Sequence, residues 1–307
     1  MDYAKVFETM VQETQNYLEN NNLWAMILGI SGGIDSTVTA AICHEVEKRN
    51  PELKFYGVSL PCSSNHNEEN DSASICMKAF CKAGQYWTEN LQKEYMLMRA
   101  TCSQKHLMTT IGQGNIKARL RMTYLYNEAN YFKGLVMDTD NLTEHYLGFF
   151  TIHGDVCDFN PIGGLWKHEI YELANYLLRE YYKLPDPSDD GYIQMALRAA
   201  IGITPTDGNG VNNLGDMGQI APAFAHDNNI EAYTKVDDII QTYLEYRGHH
   251  PEEYQIAMEE LHKKYPNIED NGCVIHDTVN EVISRINRTE YKRKGLPIVI
   301  PREKYSD

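Results

Sequence analysis

Apolar positions in the first stretch of the chain fall at helical spacing. Val6, Phe7, Met10, Val11, Tyr17 and Leu18 mark an amphipathic helix over 3–21. Leu23-Trp24-Ala25-Met26-Ile27-Leu28-Gly29-Ile30 then runs apolar without alternation. That pattern suits a strand covered on both faces, as in a parallel sheet. Residues 38–46 predict a helix, and Phe55–Leu60 predicts a second strand that ends at Pro61. A polar stretch over 62–71 leads into a helix at 72–83. Another helix is predicted at 116–132, a buried strand at 134–137 and a helix at 167–181. Strands alternating with helices predict an α/β fold with a mostly parallel, doubly wound sheet in three layers.

The pattern weakens from Leu184 to Asn229. Pro185, Pro187, Pro205, Gly208, Gly210, Gly215 and Gly218 punctuate it. Loops this long in compact domains are usually functional lids or disordered segments. Helical periodicity returns at 236–246, 252–264 and 275–288, which predicts a helical C-terminal part. A basic tail with prolines follows from Tyr291.

Charge narrows the function classes. Twenty-eight basic residues against 43 acidic ones give a net charge of −15. A sequence-independent nucleic-acid binder needs the opposite balance to neutralise phosphates, so no nucleic-acid partner is expected. No apolar run approaches the ~20 residues that a membrane helix needs. The N-terminus has no basic segment followed by an apolar one, so no secretion signal is expected. Seven cysteines, an odd number without a tight framework, read as reduced thiols of a cytoplasmic protein.

The chemistry concentrates in Ser31-Gly32-Gly33-Ile34-Asp35-Ser36, between the first strand and the next helix. The glycines allow close backbone approach, Ser31 and Ser36 offer hydroxyls, and the helix N-terminus offers free N–H groups. Together they suit a phosphate. The loop lacks the Gly-Lys-Ser/Thr of a P-loop and the G-x-G-x-x-G of a dinucleotide fold. Asp35 would repel a phosphate unless a cation lay between them. Magnesium, which takes one or two carboxylates plus phosphate oxygens, reconciles the two. The plain alternative is a strand-to-helix turn with Asp35 as a first-turn acid.

The loop resembles the S-G-G-x-D-S pyrophosphate loop of the ATP pyrophosphatase group. Further segments are similar to the NAD synthetases within it. These are Gly114-Asn115-Ile116-Lys117-Ala118-Arg119-Leu120-Arg121-Met122, Thr139-Asp140 with Glu144, Gly148-Phe149-Phe150-Thr151 with Gly154-Asp155, Asp158-Phe159-Asn160-Pro161, and Gly164-Leu165-Trp166-Lys167. Pro205-Thr206 and Lys292-Arg293 with Pro297 and Pro301 continue the match. The resemblance runs from about residue 5 to 301 and is read as one domain over 1–307.

It implies an adenine nucleotide α-hydrolase-like fold, a homodimer, and the reaction of deamido-NAD, ATP and ammonia to NAD, AMP and pyrophosphate. Carried over by position, Gly29, Ile30, Ser31, Gly32, Gly33, Ile34, Asp35 and Ser36 would hold ATP, with Thr139, Lys167 and Thr206. Asp35 and Glu144 would hold Mg²⁺, and Asp35 and Lys167 would serve catalysis. Arg119, Asp158, Tyr291 and Lys292 would line the deamido-NAD site. With matches starting by residue 23, no fused glutaminase domain is expected.

The sequence departs from the family pattern at several places. Asp138 stands where the family usually has Gly, Ile152 where it has Lys, and Tyr291 where it has His. His153 is the nearest substitute for the missing lysine, and its charge depends on pH. The mobile lid that the resemblance implies over 184–229 lacks a clean Asp-Glu pair, with Asp216 as the nearest candidate. Arg119 and Arg121, two apart, cannot share one helix face. Lys292-Arg293-Lys294 also reads as a solvated tail. The alternatives are another ATP pyrophosphatase, tRNA-modifying or like GMP synthetase, and a nucleotide sensor without turnover.

Overall fold

The computed structural model describes residues 1–62, 67–103, 107–183, 191–206, 216–270 and 273–294. Helix α1 (Tyr3–Asn20) is capped by the Asp2 carboxylate, which accepts the Lys5 N–H. Strand β1 (Ala25–Gly29), helix α2 (Ile34–Arg49), strand β2 (Lys54–Ser59), helix α3 (Asn67–Phe80) and strand β3 (Tyr86–Thr88) follow. Then come α4 (Gln92–Ser103), α5 (Thr110–Phe132) and β4 (Gly134–Val136). The four strands are parallel in the order β3-β2-β1-β4. Met137 adds a parallel bridge to Phe159 beside β4.

Each strand feeds both faces. Met26 and Leu28 of β1 point into one core with Phe7, Val38, Ile42 and Phe55. Ala25 and Ile27 point into the other, with Val58, Tyr95, Leu125 and Ala129. This is why the strand reads as continuously apolar. Burial on both sides gives the three layers expected for a doubly wound sheet.

Past the sheet lie α6 (Leu142–Leu147), α7 (Lys167–Tyr176), a π-helical turn at Leu177–Tyr181, and α8 (Tyr192–Gly202). The short α9 (Met217–Ile220) precedes α10 (Asn229–Tyr246) and α11 (Pro251–Lys264). An antiparallel hairpin of β5 (Ile268–Asp270) and β6 (Cys273–His276) leads to α12 (Thr278–Arg288) and α13 (Glu290–Arg293).

Several elements differ from the sequence expectation: α4 and β3 were not expected, and α5 and α10 begin at Thr110 and Asn229, ahead of the expected 116 and 236. Helix α3 begins at Asn67, inside the stretch read as a polar loop. Residues 275 and 276 belong to β6, not to the helix that follows. Helix α8 lies within 184–229, where no element was expected. Its Ile193, Ala196, Leu197 and Ala200 are buried and it packs on α2 and α3. Flanking prolines and glycines hide its short periodic stretch. The rest of the expected lid lies partly outside the described residues, as do Asp207, Gly208, Pro297 and Pro301. None of the seven cysteines is bridged. Among the described residues no helix is long and apolar enough to cross a membrane.

Candidate active site

Sheet order reverses between β1 and β4, and ligands of doubly wound folds bind outside the carboxyl ends of strands at such a switch point. A cleft of about 820 Å³ opens there, lined by Gly29 and Ile30 at the end of β1, by Ser59 and Leu60 at the end of β2, and by Met137 and Thr139 after β4. Ser31, Gly33, Ile34, Asp35 and Ser36 form its floor.

The loop is built for close backbone approach. Gly32 takes φ +85°, a left-handed conformation that favours glycine. The Ser72 hydroxyl donates to the Gly32 carbonyl at 2.8 Å and fixes the turn. The Gly33 N–H donates to Ser31 Oγ at 3.2 Å, and the Ser36 hydroxyl donates to the Gly33 carbonyl at 3.1 Å. Gly33 is the N-cap of α2 and brings no capping side chain, so the helix presents backbone N–H groups to the cleft.

Beside the loop, Lys167 Nζ lies 2.5 Å from Asp35 Oδ2 and 3.0 Å from Glu144 Oε1. The lysine is only 2% exposed. Burial opposes its charge, but Asp35 and Glu144 outweigh that and raise its pKa well above the ordinary value. Glu144 is pushed up to about 7 by burial and by Asp35, against the pull of Lys167. Asn141 joins the two carboxylates. Its Nδ2 donates to Asp35 Oδ1 at 3.0 Å, and its backbone N–H donates to Glu144 Oε2 at 3.1 Å. The Asn141 side chain in turn accepts the Glu144 N–H at 3.0 Å, which closes a capping box at the start of α6.

A second layer holds the lysine in place. The Lys167 N–H donates to Thr143 Oγ1 at 2.8 Å, and the Thr143 hydroxyl donates to Asp237 Oδ1 at 2.5 Å. Asp237, on α10 and fully buried, also accepts the His168 N–H at 3.2 Å and pairs with His168 Nδ1 at 2.7 Å. The Asp237 hydrogen bond raises the His168 pKa against burial.

The cleft is nearly balanced in charge although the chain is acidic. Lys117, Arg121, Lys167, Arg285, Arg288 and Lys292 line it against Asp35, Asp140, Glu144, Asp155 and Asp216. Burial and then the neighbouring Asp138 raise the Asp140 pKa well above the carboxylate range. Arg285 stacks over Phe149 at 4.9 Å and donates to the Leu147 and Gln219 carbonyls at 3.2 and 3.3 Å. Burial lowers its pKa to about 10.

A model of the NAD synthase family matches residues 6–185. The chain belongs to the NAD synthase family. The NH(3)-dependent NAD(+) synthetase of Campylobacter jejuni is 34% identical over 215 residues, which cover 67% of this chain and 81% of that protein. The protein of the same name from Methanosarcina acetivorans is 28% identical over 299 residues, 97% and 98% of the two chains. Among solved structures, the NH3-dependent NAD synthetase of C. jejuni superposes with a TM-score of 0.63 at 25% identity and covers 98% of this chain and 100% of that one. The NMN synthetase of Francisella tularensis shares the fold, with a TM-score of 0.65 at 22% identity over 98% of this chain and 99% of that one.

The residues that the family resemblance singles out divide into two sets. Gly29 to Ser36 apart from Gly32, with Thr139, Glu144, Lys167, Thr206, Tyr291 and Lys292, line the cleft. Lys292 Nζ donates to the Gly148 carbonyl at 2.7 Å and also to that of Phe150, so it ties the chain end to the synthase's Gly-Phe-Phe-Thr segment. Arg119 and Asp158 do not line the cleft. Arg119 is exposed and donates to the Ile152 carbonyl at 3.2 Å. Asp158 accepts from the Tyr126 hydroxyl and the Val136 N–H, each at 2.9 Å. Ile152 and His153 also lie outside the lining, in a turn where His153 takes φ +56°. Arg121, by contrast, faces the cleft and donates to the Leu60 carbonyl at 3.0 Å. Sequence reasoning missed Asn141, Thr143, Asp237 and Arg285. Only Asn141 left a signal, the Asn-x-x-Glu spacing of a capping box.

Proposed function

We propose that this chain amidates deamido-NAD with ammonia at the expense of ATP, giving NAD, AMP and pyrophosphate. The observation that carries the reading is the glycine-rich loop at the α2 N-terminus with the Asp35–Lys167–Glu144 cluster beside it, inside the cleft. A nicotinate carboxylate is a poor acylating group, because oxide or hydroxide would have to leave. In the proposed first step a carboxylate oxygen bonds to the α-phosphorus of ATP, and the bond from that phosphorus to pyrophosphate breaks. In the second, the ammonia lone pair attacks the acyl carbon, AMP departs with the C–O electron pair, and nitrogen loses one proton. No protein nucleophile is required.

The backbone N–H groups of the loop would hold the phosphates, and Lys167 would stabilise charge on the departing pyrophosphate as a preorganised donor. Thr139 and Thr206 would contact ATP, and Tyr291 and Lys292 the deamido-NAD. Asp35 and Glu144 fit a magnesium ion by their chemistry: two carboxylates converge beside the glycine-rich loop, and phosphate oxygens would supply other ligands. When bound, the ion would neutralise phosphate charge.

A homodimer, which the family resemblance implies, is the proposed assembly. Seven unbridged thiols support a cytoplasmic setting. The test is release of AMP and pyrophosphate from Mg-ATP, with deamido-NAD and ammonium each present or omitted. Release that needs deamido-NAD, with NAD formed only when ammonium is added, is the expected result. ATP binding without such release would overturn the reading.

A further inference from the structure

Tyr171 is fully buried and lines the cleft, yet its hydroxyl has no hydrogen-bond partner among the described residues. Buried polar groups are nearly always paired, so an orphan hydroxyl at a ligand cleft points to a partner that arrives with the ligand. Tyr171 sits on α7 one turn after Lys167, on the same helix face. Its ring packs on Tyr233 at 6.2 Å, and Lys167 Nζ lies 5.5 Å from the Tyr233 ring centre. Ring packing alone therefore holds this side chain, and the hydroxyl is spare.

Burial keeps the hydroxyl protonated, so it acts as a donor. Three acids, Asp35, Asp216 and Glu144, lie near it and none accepts its hydrogen bond; Asp35 and Glu144 are engaged by Lys167 and Asn141. A ligand that satisfies Tyr171 must bring acceptor oxygens alongside Lys167 and the glycine-rich loop. Of the groups in the proposed reaction, the phosphate chain of ATP does this. We propose that the Tyr171 hydroxyl donates a hydrogen bond to the phosphate chain of ATP and to the pyrophosphate it becomes. The proposal rests on the ATP-dependent reading above and adds a binding residue to it.

The test compares the full-length protein with Tyr171→Phe, which keeps the ring and removes only the oxygen. Affinities for magnesium pyrophosphate, Mg-ATP and AMP are measured by calorimetry, with melting of the free protein alongside. The variant should melt at the same temperature or higher, because an orphan group is lost. Pyrophosphate and ATP should bind about tenfold more weakly, the size of one hydrogen bond to a charged acceptor, while AMP affinity holds. The KM for ATP should rise in step. Unchanged pyrophosphate affinity, or an equal loss for AMP, overturns the proposal and leaves the reaction standing. A lower melting temperature also overturns it, since the hydroxyl would then hold the fold. If the unmodified protein binds neither ATP nor pyrophosphate, the proposed reaction fails and this assignment fails with it.

Discussion

Lys167 Nζ reaches Asp35 Oδ2 at 2.5 Å across 132 positions of sequence. The contact joins the first turn of α2 to the first turn of α7, so it couples the glycine-rich loop to the lysine. Replacing Lys167 by Met removes the one ammonium between Asp35 and Glu144 and leaves two carboxylates facing each other. Each carboxylate side chain is 17% exposed, so water relieves part of the repulsion. We expect a loss of about 3 kcal/mol in stability, at the lower end for a broken buried pair. Turnover should fall about 10²–10³-fold, as for loss of one preorganised donor. Lys167→Arg should not restore it, because a planar fork cannot replace a compact ammonium between two acids. Urea unfolding and steady-state kinetics check both parts.

Glu144→Gln separates the proposed metal role from the structural one. The capping box survives in part, since Asn141 still accepts the residue 144 N–H. Lys167 keeps Asp35. The fold should therefore hold, while the magnesium concentration for half-maximal turnover rises about tenfold or more, because a divalent ion favours carboxylate oxygens over amide ones. A magnesium titration at fixed ATP measures this, and an unchanged midpoint would remove Glu144 from the metal site.

The layers and the loop were legible in the sequence because both are local. An apolar run without alternation already implies two covered faces, and Ser31 to Ser36 are adjacent. The support of the site was not legible. Asp237 reaches Thr143 across 94 positions and His168 across 69, and a lone Asp in a helix carries no mark of such a role. Arg285 and Arg121 likewise reach the cleft through the fold, by packing on Phe149 and a bond to Leu60. Helix α8 was hidden for a different reason. Its periodic stretch is short and lies between residues that punctuate chains, so burial against α2 and α3 decides what propensity does not.

His168 supplies a pH signature. Its pKa is raised by the Asp237 hydrogen bond. A histidine held above its unfolded pKa of about 6.5 adds stability that is fully present below that value. The stability is lost as pH rises through the folded pKa. His168→Gln should therefore lose stability at acidic pH and converge on the unmodified protein at alkaline pH. The measurement is the urea midpoint of both proteins between pH 5 and pH 9, a span of ~4 pH units around the imidazole range. A difference constant across that span would show that the imidazole does not titrate with folding.

Gly32 tests the loop itself. At φ +85° a side chain is strained, and left-handed geometry costs a residue other than glycine about 1–2 kcal/mol. In Gly32→Ala the strain lowers stability, and its partial relief shifts the turn, stretching the Ser72 bond to the Gly32 carbonyl and moving the N–H groups of the α2 start. The site sits at the end of a buried strand and is fixed by the Ile30 N–H to Val58 carbonyl bond at 2.8 Å, so the flanks resist relaxation. We expect both a lower melting temperature and ATP binding weakened about tenfold or more, with ligand-induced stabilisation reduced accordingly. Thermal melts with and without Mg-ATP read the two effects separately. Full ligand-induced stabilisation in Gly32→Ala would mean that the loop backbone does not hold the phosphates.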